Sequence, residues 1–344
     1  MKLGVSKFRV SHHIGVDLGT SNTLIYLAGR GIALQEPSVA AVNSRTMAAV
    51  EVGDAASLMV GKTAGELQAF RPIKDGVIAD YDVAVAMLRR FIRKVTGPIL
   101  LNRPKVAMCV PHEITGVDRR AFEDAAMESG ARSVTLIEKP VAAAIGAGVK
   151  IGAPRGSFII DVGGGTTEVA SISLGATVTS GSIRVAGNRL DDAIMLYIKR
   201  RYNVSISPKT AELLKQRIGS VHPQTDAGML EIRGKNLTSG LPVTLNVTSG
   251  EVREAMSDQI EQIVDCVRSV LEKTPPEICA DIYDRGLILT GGCASLRGLP
   301  VLLSQITGVR VTVADKPLQT VTVGLGRFVE HPEHFPYLMQ YRAK

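Results

Sequence analysis

Two short segments of this chain carry one pattern. Asp17-Leu-Gly-Thr-Ser-Asn-Thr23 and Asp161-Val-Gly-Gly-Gly-Thr-Thr167 both read D-[LV]-G-x-x-x-T, 144 residues apart. Each follows an apolar run suited to a buried strand (Ile14-Gly-Val16 and Phe158-Ile-Ile160), and each leads into a further strand, at 23–27 and 168–174. Strand, turn and strand repeated at this distance imply a duplicated α/β domain. The residue types also suggest a chemistry. Glycines let backbone N–H groups approach phosphate oxygens, and Thr or Ser hydroxyls add donors. The Asp that ends each leading strand can hold Mg²⁺, most naturally through water, because that ion dehydrates reluctantly. One such hairpin is an ordinary glycine turn with a capping Asp. Two facing each other would clamp a nucleoside triphosphate tail.

The rest of the chain alternates strands with helices, which gives an α/β fold class. Asp80 caps a predicted helix whose face is Ala84, Leu88, Phe91, Ile92 and Val95, and Gly97-Pro98 stops it. A strand at 105–110 and a helix at 117–129 follow, then a strand at 134–137 and a helix start at Pro140. Thr248-Ser-Gly-Glu251 is a capping-box pattern ahead of a long amphipathic helix. A third glycine-rich turn, Leu289-Thr-Gly-Gly-Cys-Ala-Ser-Leu296, joins a strand to a helix predicted over 295–307 and makes a natural floor for a base and ribose. Neither the P-loop G-x-x-x-x-G-K-[ST] nor the dinucleotide fingerprint G-x-G-x-x-G occurs. At roughly 100–200 residues per domain, 344 residues suit two domains. No low-complexity linker separates them, so they must pack closely.

Composition narrows the classes further. No apolar run reaches the ~18–20 residues of a membrane span, and nothing resembles a secretory signal. Cys109, Cys266, Cys279 and Cys293 lack C-x-x-C spacing, so free thiols are expected. No carboxylate or Cys at ligand spacing is read beside His12-His13 or His331/His334, so neither pair is expected to bind a metal. The net charge is +7, and it is localised: nine basic residues and no acid fall in 1–16 and 83–112, leaving 31 basic against 33 acidic residues elsewhere. Without an aromatic stacking platform this distribution argues against nucleic acid and for contact with anionic lipid.

In this order, these turns resemble the actin–Hsp70–sugar kinase superfamily, and the chain looks specifically like the MreB family of bacterial actins. The matching segments are Asp17-Leu-Gly-Thr-Ser-Asn-Thr-Leu-Ile-Tyr26, Arg71-Pro-Ile-Lys-Asp-Gly-Val-Ile-Ala-Asp80, Ala142-Ala-Ala-Ile-Gly-Ala-Gly148, Asp161-Val-Gly-Gly-Gly-Thr-Thr-Glu-Val-Ala170, Leu289-Thr-Gly-Gly, Leu296-Arg-Gly-Leu299 and Val313-Ala-Asp315. The segment at 71–80 is far more specific than the phosphate turns. The resemblance implies an actin-like fold of two related domains: 1–145 with 315–344 (small subdomain near 33–68), and 146–314 (small subdomain near 185–245). Four subdomains would surround a central cleft for ATP and Mg²⁺. It also implies self-assembly into protofilaments in antiparallel pairs, a cytoplasmic location on the inner membrane face, and partnership with RodZ-type anchors and the cell-wall elongation complex. A chaperone of this superfamily would need a substrate-binding domain, and a kinase would need a catalytic Asp with substrate loops. Neither is evident.

Residue by residue, the resemblance assigns Gly19, Thr20, Ser21 and Asn22 to the first phosphate turn and Gly163, Gly164, Gly165 and Thr166 to the second. Thr166 would also position the attacking water. Asp17 and Asp161 would organise Mg²⁺, Glu212 and Lys215 would contact the nucleoside, and Gly291, Gly292, Cys293, Ala294, Ser295 and Leu296 would lie under the adenosine. Family members carry a carboxylate directly before the proline that matches Pro140, where it polarises the attacking water. Here the residues are Glu138-Lys139-Pro140, and a protonated lysine is no base. Three readings stand open: Lys139 binds the γ-phosphate and leaves hydrolysis slow, Glu138 swings in as the base, or Lys139 faces solvent. Cys293 also departs from the family, which more often has Gly there. A loop with Ile99, Leu100 and Leu101 beside Arg103 and Lys105 suits shallow membrane insertion, and the N-terminus, with Phe8 among Lys2, Lys7 and Arg9, is a weaker candidate.

Overall fold

The strand His13–Leu18 ends in the first repeat and hairpins onto Asn22–Leu27, and Ser157–Val162 does the same with Thr167–Ser173. These elements come from a computed structural model that describes residues 12–63, 65–98 and 103–341. Each hairpin adds a third antiparallel strand, Gly31–Pro37 or Ala176–Ile183. Each leading strand then takes a parallel neighbour on its other side, Lys105–Val110 or Leu287–Thr290, and beyond that a second parallel strand, Ser133–Glu138 or Val311–Val313. Both sheets have five strands in the same spatial and chain order. The duplication read from fourteen residues therefore extends through the topology of both lobes.

Burial explains why the leading strands are apolar. Ile14, Val16, Phe158, Ile159 and Ile160 are fully buried, since both faces of each sheet are covered. On the first lobe Tyr81–Thr96 lays Val83, Met87, Leu88, Phe91 and Ile92 against the sheet. Its N-cap is Asp80, whose side chain accepts from the Val83 N–H, a cap stabilising by about 1 kcal/mol. On the second lobe Ser249–Lys273 packs through Val252, Met256, Ile263 and Val267, and the predicted capping box is formed, with Thr248 and Glu251 bonding reciprocally. Two three-stranded sheets lie apart from the main ones, one from residues within 40–70 and one from residues within 204–248.

A seam joins the lobes. The helices Lys139–Gly146 and Thr320–Glu330 pack against each other, and against them sit Ala107 and Ile137 of one sheet and Ile159, Ala170 and Ile172 of the other. The helices approach so closely that a Cβ on Gly146 would lie 1.8 Å from the Thr320 carbonyl oxygen, and one on Gly324 would lie 1.8 Å from that of Ala142. Glycine is required at both crossings by contact distance.

One expectation needs correction. The helix predicted over 295–307 starts later, at Leu299–Thr307. Gly298 takes φ 79°, and Arg297 forms a parallel bridge with Ser220, so 296–298 are a turn tying the cleft floor to the chain near Ser220 in the same lobe. A further helix, Pro276–Arg285, begins with proline in its first turn and is ended by Gly286. Of the basic residues in 83–112, Arg90 donates to the Val50 and Ala49 carbonyls, Arg89 to Glu128 and Arg103 to Ala131, while Lys94 pairs with Glu36 at 2.8 Å. Three of the six, Arg89, Arg90 and Lys94, thus fasten the helix to its surroundings. Phe8, Ile99, Leu100 and Leu101 lie outside the described residues. Among the described residues no helix is long and apolar enough to cross a membrane.

Candidate functional site

Both repeat turns open into one cleft of about 330 Å³ between the lobes. They lie in direct contact. A Cβ on Gly164 would come within 2.0 Å of Ser21 Oγ, and one on Gly165 within 2.4 Å of Thr20 Oγ1. Residues with side chains at 164 and 165 would push the hydroxyls of the opposite turn away. The third turn closes the floor. Gly291, at φ 88°, approaches Asp161 Oδ1 and the Val162 carbonyl too closely for any side chain. Cys293 is buried, its Sγ 3.3 Å from the Gly163 carbonyl, so it packs against the second phosphate turn. Every residue predicted to contact nucleotide lines the cleft except Ala294, which is buried beside it.

Lys215 is pinned at one end of the cleft by Asp191, 2.8 Å away, and donates to the Gly187 carbonyl. Burial pushes the Asp191 carboxyl up to about 6, against the pull of Lys215. Glu212 accepts from Gln216 on the same helix, Pro208–Ile218.

The two residues before Pro140 diverge. Glu138 ends its strand and does not line the cleft: its Oε2 pairs with His112 Nδ1 at 2.7 Å and accepts from Thr177 Oγ1 at 2.9 Å. Burial works to raise its pKa, yet His112 and Thr177 outweigh it and hold the carboxyl below its usual range. The expectation that Glu138 turns into the cleft as a base is not met, because alternation along the strand directs it to other partners. Nor does Lys139 face solvent. Its Nζ lies 2.9 Å from Asp161 Oδ2, with only 15% of the side chain exposed. Burial opposes its charge, but Asp161, then Asp17 and Glu168, overcome that and hold its pKa well above the ordinary lysine value.

Glu168 was not singled out from the sequence. It closes the motif Asp161-Val-Gly-Gly-Gly-Thr-Thr-Glu168, is buried in the cleft wall, and accepts from the His112 N–H and weakly from Thr166 Oγ1. Burial pushes it up to about 7 despite Lys139. Asp17, also raised by burial, accepts from Cys109 Sγ. The Asp17/Asp161 pair read as Mg²⁺ ligands is therefore already partnered, with an ammonium on one member and a thiol on the other. That donor set does not fit a divalent cation bound directly between the two carboxylates, because the ammonium occupies one of them and supplies no oxygen ligand, and its charge also disfavours the ion expected to be held through water.

The segment at 71–80 also reaches the site. Ile73–Lys74 and Val77–Ile78 form a two-stranded hairpin whose tip, Asp75-Gly76, sits over Thr166, and the Gly76 N–H donates to Thr20 Oγ1. Away from the cleft, His331, Glu333 and His334 come together at the surface, bringing to the two histidines a carboxylate that linear spacing had not suggested.

Two lobes of matching topology, joined by crossed helices and apposed through their D-x-G turns, define an actin-type fold. The profile described as MreB/Mbl protein matches residues 11–336. The chain is 46% identical over 323 residues to the cell shape-determining protein Mbl of Bacillus subtilis strain 168, covering 94% of this chain and 97% of that protein. Among solved structures it superposes on MreB5 of Spiroplasma citri bound to ADP with a TM-score of 0.89 at 37% identity, covering 96% and 99% of the two chains. The MamK double helical filament shares the fold at a TM-score of 0.79 and 22% identity, covering 93% and 99%. The chain belongs to the MreB/Mbl family.

Proposed function

We propose that this chain is an ATP-binding filament subunit that determines cell shape, and that it turns nucleotide over slowly. The observation carrying the reading is the contact between the two glycine turns across the cleft, with Lys139 beside them. Apposed backbone N–H groups and hydroxyls suit a polyphosphate tail. Gly291, Gly292, Cys293, Ser295, Glu212 and Lys215 line the same cleft, which supports the reading of them as nucleoside contacts. MreB5 of Spiroplasma citri binds ADP in a closely similar fold, Mbl of Bacillus subtilis carries the name of a cell shape-determining protein, and MamK forms a double helical filament. Family membership extends the proposal to paired antiparallel protofilaments on the inner membrane face, guiding wall synthesis with RodZ-type anchors.

Slow turnover follows from Lys139. The position that carries a carboxylate in the family holds a cation here, and Glu138 is committed to His112 and Thr177.

Sedimentation with ATP and no other substrate, with and without liposomes of anionic lipid, tests the assembly reading. ATP-dependent pelleting is expected, and a chain that stays in the supernatant at all concentrations would overturn it. Deleting 99–101 is expected to release the filaments from liposomes in a flotation assay. Undiminished flotation would remove that loop from the membrane contact.

A further inference from the structure

We propose that Lys139 is a built-in counter-cation for the bound polyphosphate, so that this chain binds a nucleoside triphosphate without an accompanying divalent cation. The inference rests on the nucleotide reading above and extends it to the ionic form of the ligand.

Asp161 and Asp17 both end strands pointing into the cleft, and both are almost wholly buried. A polyphosphate placed on the adjoining turns would bring several further negative charges to these two. Some cation has to intervene, because unpaired like charges beside buried carboxylates repel strongly. Lys139 meets that need from within the chain. Its Nζ is 2.9 Å from Asp161 Oδ2, and a Cβ on Gly163 would lie only 3.5 Å from it, which places the ammonium beside the second phosphate turn as well. The contact with Asp161, at 2.9 Å, engages one N–H of the ammonium. The other two N–H donors remain for phosphate oxygens in front of it.

The backbone holds the group in place. Lys139 is the first residue of its helix, directly before Pro140, and the helix is locked against Thr320–Glu330 through Gly146 and Gly324. Cys109 fixes Asp17 from behind. A divalent ion needing both carboxylates would have to displace an ammonium from Asp161 and then tolerate it nearby. Lysine's compact point charge takes the ion's electrostatic part while offering none of its oxygen-ligand geometry.

Isothermal titration of ATP into the purified full-length chain, in excess EDTA and in Mg²⁺, tests this. The wild-type Kd is expected to agree between the two buffers within about threefold, whereas Lys139→Gln is expected to lose at least about tenfold in EDTA and regain it in Mg²⁺, the scale of one charge-assisted contact. A wild-type affinity that falls by about tenfold or more in EDTA and returns with Mg²⁺ would overturn the proposal and leave the nucleotide reading intact. A wild type that binds ATP in neither buffer would overturn both. Should the variant not fold by circular dichroism, the two-buffer comparison on the wild type still decides.

Discussion

Arg71 Nη1 donates a 3.0 Å hydrogen bond to Asn188 Oδ1, joining the segment before the Asp75-Gly76 hairpin to the first turn of the helix Gly187–Tyr202 in the other lobe. Ser21 Oγ of the first phosphate turn donates to the same oxygen at 3.1 Å, and Arg189 faces Asp75 at 3.8 Å. The contacts cross the cleft mouth and are largely exposed, so each contributes little to global stability. They do bias the lobes toward closure. Asn188→Ala is expected to speed dissociation of a fluorescent ATP analogue by about three- to tenfold while moving the unfolding free energy by less than about 0.5 kcal/mol. Stopped-flow chase and urea melts measure the two, and an unchanged off-rate would show that the latch does not hold the cleft.

The seam gives a second prediction of opposite character. Gly146→Ala puts a methyl group where the Thr320 carbonyl lies 1.8 Å away, and Gly324→Ala does the same against Ala142. Backbone cannot yield as a side-chain tip does, so each substitution forces the helices apart and is expected to cost about 2–3 kcal/mol. Urea midpoints should fall for both, against a helix-propensity gain of under about 1 kcal/mol. Equal or higher midpoints would contradict the close crossing.

The contrast between these contacts explains what could be read in advance. Asp17 and Asp161 were legible because repetition, glycine content and flanking apolar runs are local signals, and they carried the duplicated topology with them. The helix faces at 81–96 and 249–273 were legible from periodicity and caps. Ser21 touching Gly164, Gly76 covering Thr166 and the partners of Glu138 were not, because each joins residues distant in sequence whose meeting depends on lobe packing. Glu168 had a signal, as the charged last residue of a glycine motif, but its burial could only be seen once the strand was paired on both sides. The later start of the helix at Leu299 had one too: Gly298 before Leu299-Pro300 marks a boundary that apolar periodicity concealed.

His112 and Glu138 give a pH dependence. The hydrogen bond to Glu138 raises the His112 pKa above 6.5, and that bond, with Thr177, holds Glu138 below 4.5 in spite of burial. The histidine's contribution is complete below its unfolded pKa and fades as pH rises through the raised value. The carboxylate's is complete above its unfolded pKa and fades as pH falls through the lowered one. Both are present between about 4.5 and 6.5. Glu138→Gln is therefore expected to destabilise the protein more at about pH 5.5 than at about pH 8.5 in urea melts. A difference that is larger at the alkaline pH would place the stabilising charge elsewhere.

Turnover supplies the last prediction. In the proposed reading Lys139 takes the place of the family's water-polarising carboxylate, and an ammonium held in its charged form by Asp161 and Asp17 has no lone pair to accept a proton. Lys139→Glu restores a base there, and general-base catalysis contributes roughly 10²–10⁴-fold. Only part of this is expected back. The new carboxylate would sit among Asp17, Asp161 and Glu168, and like charges favour its neutral form. Phosphate release with Mg²⁺ supplied should rise at least about tenfold, while Lys139→Gln, neutral and unable to act as a base, should stay near the wild-type rate. The pair of variants separates two explanations. If both rise together, removal of the ammonium is what matters, through looser binding or faster product release. If only the glutamate rises, the missing base is what slows the chain. A wild type that releases phosphate as fast as Lys139→Glu would show that water is activated by another group, and Glu168, pushed up to about 7 and within reach of Thr166, is the carboxylate to substitute next.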